Sequence, residues 1–210
     1  MRNLFPSWVS VVVVGRDVLA SESAWQEELK TLSARAVTKR RDEFSMGRIA
    51  ARRALVDLGS EPVPILPDPM RAPIWPRAIV GSITHTNDIA AAAVAPAERC
   101  AGLGIDIEQV RSLQPSIDRQ VADDEERAWI ASDMTRFTLL FSAKESIYKA
   151  FFPIRREYFG FSAVHLQWET PRFIATLTCP MSERWGSGAQ FPVECHRDGE
   201  RVWTAVCLPP

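Results

Sequence analysis

A glutamate and a lysine stand four residues apart in Phe141-Ser-Ala-Lys-Glu145-Ser-Ile-Tyr-Lys149-Ala150. On a helix that spacing sets an acid and a base on one face. Upstream, Gly104-Ile-Asp106-Ile-Glu108 alternates apolar and acidic residues, the pattern of a strand with one face in the core and two carboxylates on the other. The Cα atoms of such a pair lie roughly 6.5 Å apart, so one hard cation could bridge them. Mg2+ prefers oxygen ligands, keeps several waters and commonly takes one or two carboxylates together with substrate phosphates. Three acids and a lysine therefore suit a Mg2+ and phosphate site serving a nucleotide or pyrophosphate. The plainer readings are a solvated strand face for Asp106 and Glu108, and for Glu145 and Lys149 a surface ion pair of roughly 0.3–0.5 kcal/mol. Against the latter, Phe141 and Tyr148 put the pair at the rim of an apolar stripe. There Lys149 can hold a phosphate, and Glu145 can complete a metal shell or accept a proton from an attacking hydroxyl.

Ser82-Ile-Thr84-His85 adds hydroxyls and an imidazole at the end of an expected strand. Positive charge for an anion is offered by Arg48, Arg52, Arg53 and Arg71, arginine being suited to bidentate phosphate contact. A lone histidine is commonly a structural hydrogen-bonder, and a row of arginines commonly a solvated helix face.

These groups need elements to position them. Trp8 to Val14 reads as a buried strand, and Ser21 as the cap of a short helix through Lys30. A longer helix is expected from Ala36 to Leu58 with Gly59 as its stop. Its apolar stripe is Phe44, Ile49, Leu55 and Leu58, and Arg48 and Arg52 share another face. Six prolines between Glu61 and Pro76 forbid a helix or central strand there. Strands are expected at 78–84, 89–94 and 103–110, an acidic helix at 117–131, and a helix from Thr135 to Phe152 ended by Pro153. Further strands follow at 161–168 and 172–179, then a hairpin turning on Asp198-Gly199. Each half reads as strand, helices, then paired strands, an order compatible with duplication of a unit of about 100 residues.

The 210 residues carry a formal net charge of −1, so there is no global basic field and a nucleic-acid-binding module is disfavoured. The four cysteines form no CxxC pair, which suggests reduced thiols and a cytoplasmic protein. The apolar run near the N-terminus is too short for a membrane span.

Taken in order, Gly81-Ser-Ile-Thr-His85, Gly104-Ile-Asp-Ile-Glu108 and Phe141-Ser-Ala-Lys-Glu-Ser-Ile-Tyr-Lys149 resemble the three signature motifs of the 4′-phosphopantetheinyl transferases, in their siderophore-synthetase and broad-specificity branch. Gly47-Arg-Ile-Ala-Ala-Arg-Arg-Ala-Leu55 with Leu58-Gly59, and Pro73-Ile-Trp-Pro76, also resemble that branch, so the likeness runs from Phe44 to Pro153. The resemblance implies transfer of the phosphopantetheine arm of coenzyme A to a serine of an apo acyl or peptidyl carrier protein, with release of adenosine 3′,5′-bisphosphate. It implies Mg2+, or Mn2+ in its place, held on the pyrophosphate by Asp106, Glu108 and Glu145, with Lys149 on the same phosphates. It further implies that Arg48, Arg52, Ser82, Thr84 and His85 receive the adenosine end, and that His85, Glu145 and Lys149 serve the chemistry. Some relatives carry a basic residue where Met70 stands, and Arg71 is the neighbour that could replace it.

The implied fold is α+β, two similar halves related by a pseudo-twofold, residues 1–103 binding the adenosine end and 104–210 carrying the metal site and catalytic helix. A working monomer is expected. The carrier could belong to fatty-acid, siderophore, polyketide or nonribosomal peptide synthesis. Two alternatives stand beside this: a Mg2+-dependent enzyme cleaving another nucleotide, and a non-catalytic carrier-binding relative. Asp106→Ala is expected to abolish Mg2+-dependent activity and leave the fold intact.

Overall fold

The computed structural model describes residues 4–110 and 119–210. Strand β1 (Ser10–Gly15) leads through a 3-10 turn (Arg16–Ala20) to a one-turn helix α1 (Gln26–Leu29) and the long helix α2 (Thr38–Asp57). Strands β2 (Ile79–His85) and β3 (Ile89–Pro96) complete the first half. The second half comprises β4 (Gly102–Gln109), α3 (Asp124–Ile130), α4 (Met134–Arg155), β5 (Val164–Glu169), β6 (Arg172–Leu177), β7 (Gln190–Asp198) and β8 (Arg201–Leu208).

All ladders are antiparallel, in a three-stranded sheet of order β1-β3-β2 and a five-stranded sheet of order β4-β8-β7-β6-β5. In each half the last strand lies between the first and the penultimate, so β1-β3-β2 corresponds to β4-β8-β7. The β5–β6 hairpin is an addition to the second half. This is the α+β architecture of two similar halves expected from the sequence.

Alternation along β3 explains how the layers assemble. Ala90, Ala92 and Val94 pack with Met46, Ile49 and Leu55 of α2, while Ala91, Ala93 and Ala95 share a cluster with Leu103, Ile105, Ile107, Trp203 and Ala205 of the second sheet. Small alanine side chains let the sheets approach closely. The opposite face of β4 carries Gly102, Gly104 and Asp106 and meets α4. A Cβ on Gly104 would stand 2.8 Å from the Ser146 carbonyl carbon and 3.2 Å from the Ala150 nitrogen, and one on Gly102 would strike the Ala150 carbonyl oxygen. The two glycines therefore admit the helix backbone directly onto the strand.

Several sequence expectations shift. Ser21 caps no helix: its N–H closes the preceding 3-10 turn on Val18, and α1 begins only at Gln26, its start fixed by the Trp25 N–H on the Glu28 carboxylate (2.7 Å). Helix α4 runs past Pro153 to Arg155 and stops at Arg156 with φ 60°, because a proline in the last turn removes one hydrogen bond without blocking the few residues left. The acidic helix starts at Asp124, capped by Asp123; Ile117 and Asp118 of the expected range lie outside the described residues. Asp198 is the last paired residue of its hairpin, so the turn is Gly199-Glu200, with Gly199 at φ 59°.

Candidate active site

Strand β4 is the edge of its sheet, and an open edge leaves N–H and C=O groups without partners. Here β2 covers it with side chains. The Ile105 N–H donates to Ser82 Oγ (3.1 Å) and the Ile107 N–H to Thr84 Oγ1 (3.2 Å), so the strands ascend in step, stitched by two hydroxyls. The Ile105 carbonyl on the same edge accepts from Lys149 Nζ (3.1 Å). Ser82 and Thr84, expected at a ligand, lie buried in the seam joining the halves.

Asp106 is the centre of this seam. Only 4% exposed, it accepts from Thr84 Oγ1 (3.1 Å) and Lys149 Nζ (2.7 Å) at Oδ1, and from Ser142 Oγ (2.8 Å) at Oδ2. Three of its roughly four lone-pair positions are thus used, and one on Oδ2 remains. Because the close approach at Gly104 fixes α4 on β4, residues 142, 145 and 149 stand over one carboxylate. The Glu145 carboxylate accepts no hydrogen bond among the described residues. Burial holds its pKa above the ordinary range, with Asp106 adding to the shift and Lys149 opposing it. Glu108 shares the Asp106 face of the strand and is half-buried.

From the first half, His85 and α2 bring a second group. His85 Nε2 lies 3.2 Å from Arg40 Nη1, and Nδ1 lies 3.9 Å from Glu43. Burial lowers the His85 pKa; Glu43 and Asp106 oppose this, and Arg40 and Lys149 add to it. Arg48 stacks over Phe44 (4.4 Å), and its buried Nε has no partner among the described residues. Burial lowers its pKa to about 10, against Glu28 and with help from Arg40 and Arg52. A half-buried guanidinium whose Nε is buried without a partner, beside other cations, is an environment that an anion would relieve.

The other arginines are placed elsewhere. Arg52 is buried in an ion pair with Glu28 (2.8 Å), donates to the Ser23 carbonyl (2.7 Å) and stacks on Trp25. Glu28 also accepts from the Ile65 N–H (2.9 Å), so this pair ties α1, α2 and the proline-rich connection together. Arg53 pairs with Glu22. Arg71 is exposed in a turn at φ 69° and is not among the groups gathered at Asp106. The sequence reading missed Arg40 and Ser142. Arg40 is one helical turn from Glu43 and two from Gly47, and Ser142 lies inside the 141–149 motif one turn before Glu145 on the same helix face, registers that could have drawn notice to both.

The carboxylates of Asp106, Glu108 and Glu145 do not form a ligand group within 4.8 Å of one another; among the described residues the group that does is Asp123, Glu126 and His165. Its atoms are already committed. Glu126 accepts from Lys144 Nζ (2.7 Å), Asp123 N–H and Leu166 N–H, and Asp123 caps α3 and meets His165 Nδ1 (2.6 Å). That cluster pins α3 and β5 to the buried Lys144. Asp106 with its free lone pair, and Glu145 with no bond, are the better-suited oxygen donors for a cation.

Residues 27–95 match the family model of the 4′-phosphopantetheinyl transferase N-terminal domain, and residues 102–206 match that of the 4′-phosphopantetheinyl transferase superfamily. The protein belongs to this superfamily. It is similar to the 4′-phosphopantetheinyl transferase Npt of Nocardia iowensis, 40% identical over 141 residues that cover 66% of this chain and 64% of that protein. The transferase Svp of Streptomyces mobaraensis is 45% identical over 127 residues, covering 58% and 52%. Enterobactin synthase component D of Salmonella typhimurium is 41% identical over 123 residues, covering 54% and 49%, which supports the siderophore-synthetase and broad-specificity branch. The chain thus spans between about half and just under two thirds of the length of these relatives.

Proposed function

We propose that this protein transfers the 4′-phosphopantetheine arm of coenzyme A to a serine of an apo carrier protein. The observation that carries the reading is the meeting, at one seam, of Asp106, Glu145 and Lys149 from one half with His85 and its neighbour Arg40 from the other, Arg48 standing behind Arg40 on the same helix. In the transfer, the serine oxygen bonds to the phosphorus that bears pantetheine. The bond from that phosphorus to the adenosine 3′,5′-bisphosphate breaks, and the serine proton is taken up. Such phosphoryl-type chemistry asks for positioning and charge neutralisation rather than a protein nucleophile.

Residues 1–103 would hold the nucleotide end, with Arg48, Arg40 and His85 facing its 3′-phosphate; residues 104–210 would hold the pyrophosphate. Asp106, Glu108 and Glu145 would hold Mg2+, or Mn2+ in its place, and the ion would neutralise pyrophosphate charge. Lys149, already a donor to Asp106, would turn part of its ammonium toward the phosphates. Glu145 is also the family-based candidate acceptor of the serine proton, directly or through water, a role that competes with holding the ion because a bound cation lowers a carboxylate's basicity. The proposed site needs the residues of one chain only, in keeping with a working monomer, and four cysteines without a CxxC pair are in keeping with a reducing compartment such as the cytoplasm. Among the described residues no helix is long and apolar enough to cross a membrane.

The test follows coenzyme A and adenosine 3′,5′-bisphosphate by chromatography, with and without apo carrier. Bisphosphate appearing only with carrier supports the transferase. Equal turnover without carrier would replace it with a nucleotide-cleaving enzyme.

A further inference from the structure

Between α4 and the β4–β8 pair lies a row of hydroxyls with no exposure at all: Ser142, Ser146 and Thr204. Ser142 Oγ is 2.8 Å from Asp106 Oδ2 and 2.9 Å from Thr204 Oγ1. Ser146 Oγ is 2.7 Å from Thr204 Oγ1 and 3.0 Å from the Thr204 carbonyl oxygen. The arrangement follows from two periods, since 142 and 146 are one helical turn apart and Thr204 is the cross-strand partner of Asp106.

Counting protons fixes the direction of the row. A carboxylate only accepts, so the single Ser142 proton goes to Asp106. Thr204 must then donate to Ser142, and Ser146 donates to the Thr204 hydroxyl or carbonyl. The chain runs one way, from Thr204 through Ser142 to the Asp106 charge, so each link polarises the next, and Ser146 extends it when its proton lies on the Thr204 hydroxyl. The other carboxylate oxygen is tied to Thr84 and Lys149. Without Ser142 the Oδ2 side would have no tether among the described residues.

We infer that Ser142 is a positioning residue which, with Thr204 behind it, fixes the plane of the Asp106 carboxylate and so the direction in which the last lone pair of Oδ2 is offered to a cation. This rests on the functional reading above, in which Asp106 holds Mg2+.

The test is calorimetric titration of coenzyme A into the intact protein with and without Mg2+, beside thermal melts. Ser142→Ala and the near-isosteric Thr204→Val lower the Mg2+-dependent gain in affinity, by roughly tenfold for Ser142→Ala and by less for Thr204→Val. Both leave the Mg2+-free affinity in place. Thr204→Ser loses a packed methyl but keeps the hydroxyl; it retains the full gain despite a lower Tm. A wild-type gain in Ser142→Ala, or losses that merely track Tm across the three variants, would overturn the inference. A wild-type protein whose coenzyme A affinity ignores Mg2+ would overturn the functional reading, and the inference with it.

Discussion

Gly104→Ala adds one methyl group and should disable the protein, because that methyl has nowhere to go. Its Cβ would sit 2.8 Å from the Ser146 carbonyl carbon and closer still to the oxygen, where ordinary contact begins at 3.4 Å. Backbone on both sides cannot rotate away, so α4 must retreat from β4 by about 1 Å or more, and overpacking of this kind costs about 1–3 kcal/mol. The retreat carries Ser142, Glu145 and Lys149 away from Asp106. A misplacement of roughly 1 Å in a positioned site is enough to cost about 100-fold in rate, so transfer should fall by at least that factor while the Tm drops by several degrees. Gly186→Ala, where nothing lies within 4 Å, serves as the control and should change neither. Steady-state transfer to an apo carrier and a thermal melt read both effects. A Gly104→Ala protein with wild-type Tm and rate would refute the argument that this glycine sets the helix on the strand.

Arg52→Met leaves the fully buried Glu28 carboxylate unpaired and should cost about 3–5 kcal/mol in urea unfolding; Arg48→Met should leave stability nearly unchanged and weaken coenzyme A binding, and equal unfolding midpoints for the two would contradict the division. The His85 pKa is lowered in the folded state, so the unfolded chain takes up its proton first and stability is lost as the pH falls through the ordinary histidine range near about 6.5; a His85→Gln protein should lose less over that window in parallel melts. For Glu145 the folded pKa is raised, so stability falls as pH rises from the ordinary glutamate value through the raised one. Glu145→Gln should therefore raise the Tm of the ligand-free protein at neutral pH, while lowering transfer by roughly 100-fold to 10,000-fold if the residue is the proton acceptor; an unchanged rate would remove it from the chemistry.

The sequence displayed the parts of the site more clearly than their partners. Alternation in 104–108 and helical spacing in 141–149 placed Asp106 and Lys149 correctly on strand and helix, because both patterns are set by local periodicity. What periodicity cannot register is contact between elements. Arg48 and Arg52 look equivalent on one helix face, yet Arg52 meets Glu28 of α1 and Arg48 does not. Ser82 and Thr84 look like loop-end hydroxyls, and their work as covers for the β4 edge follows only from the side-by-side run of two strands. The burial of Asp106 was equally hidden: with Thr84, Ser142 and Lys149 on its oxygens, Asp106→Ala should lower stability as well as activity, contrary to the intact fold expected from the sequence.

The most direct test is the intact mass of an apo carrier protein after incubation with this protein, coenzyme A and Mg2+. The account predicts a gain of one phosphopantetheine mass, abolished by a chelator and by Lys149→Met. An unchanged mass across acyl and peptidyl carriers, from a protein that binds coenzyme A tightly, would contradict it.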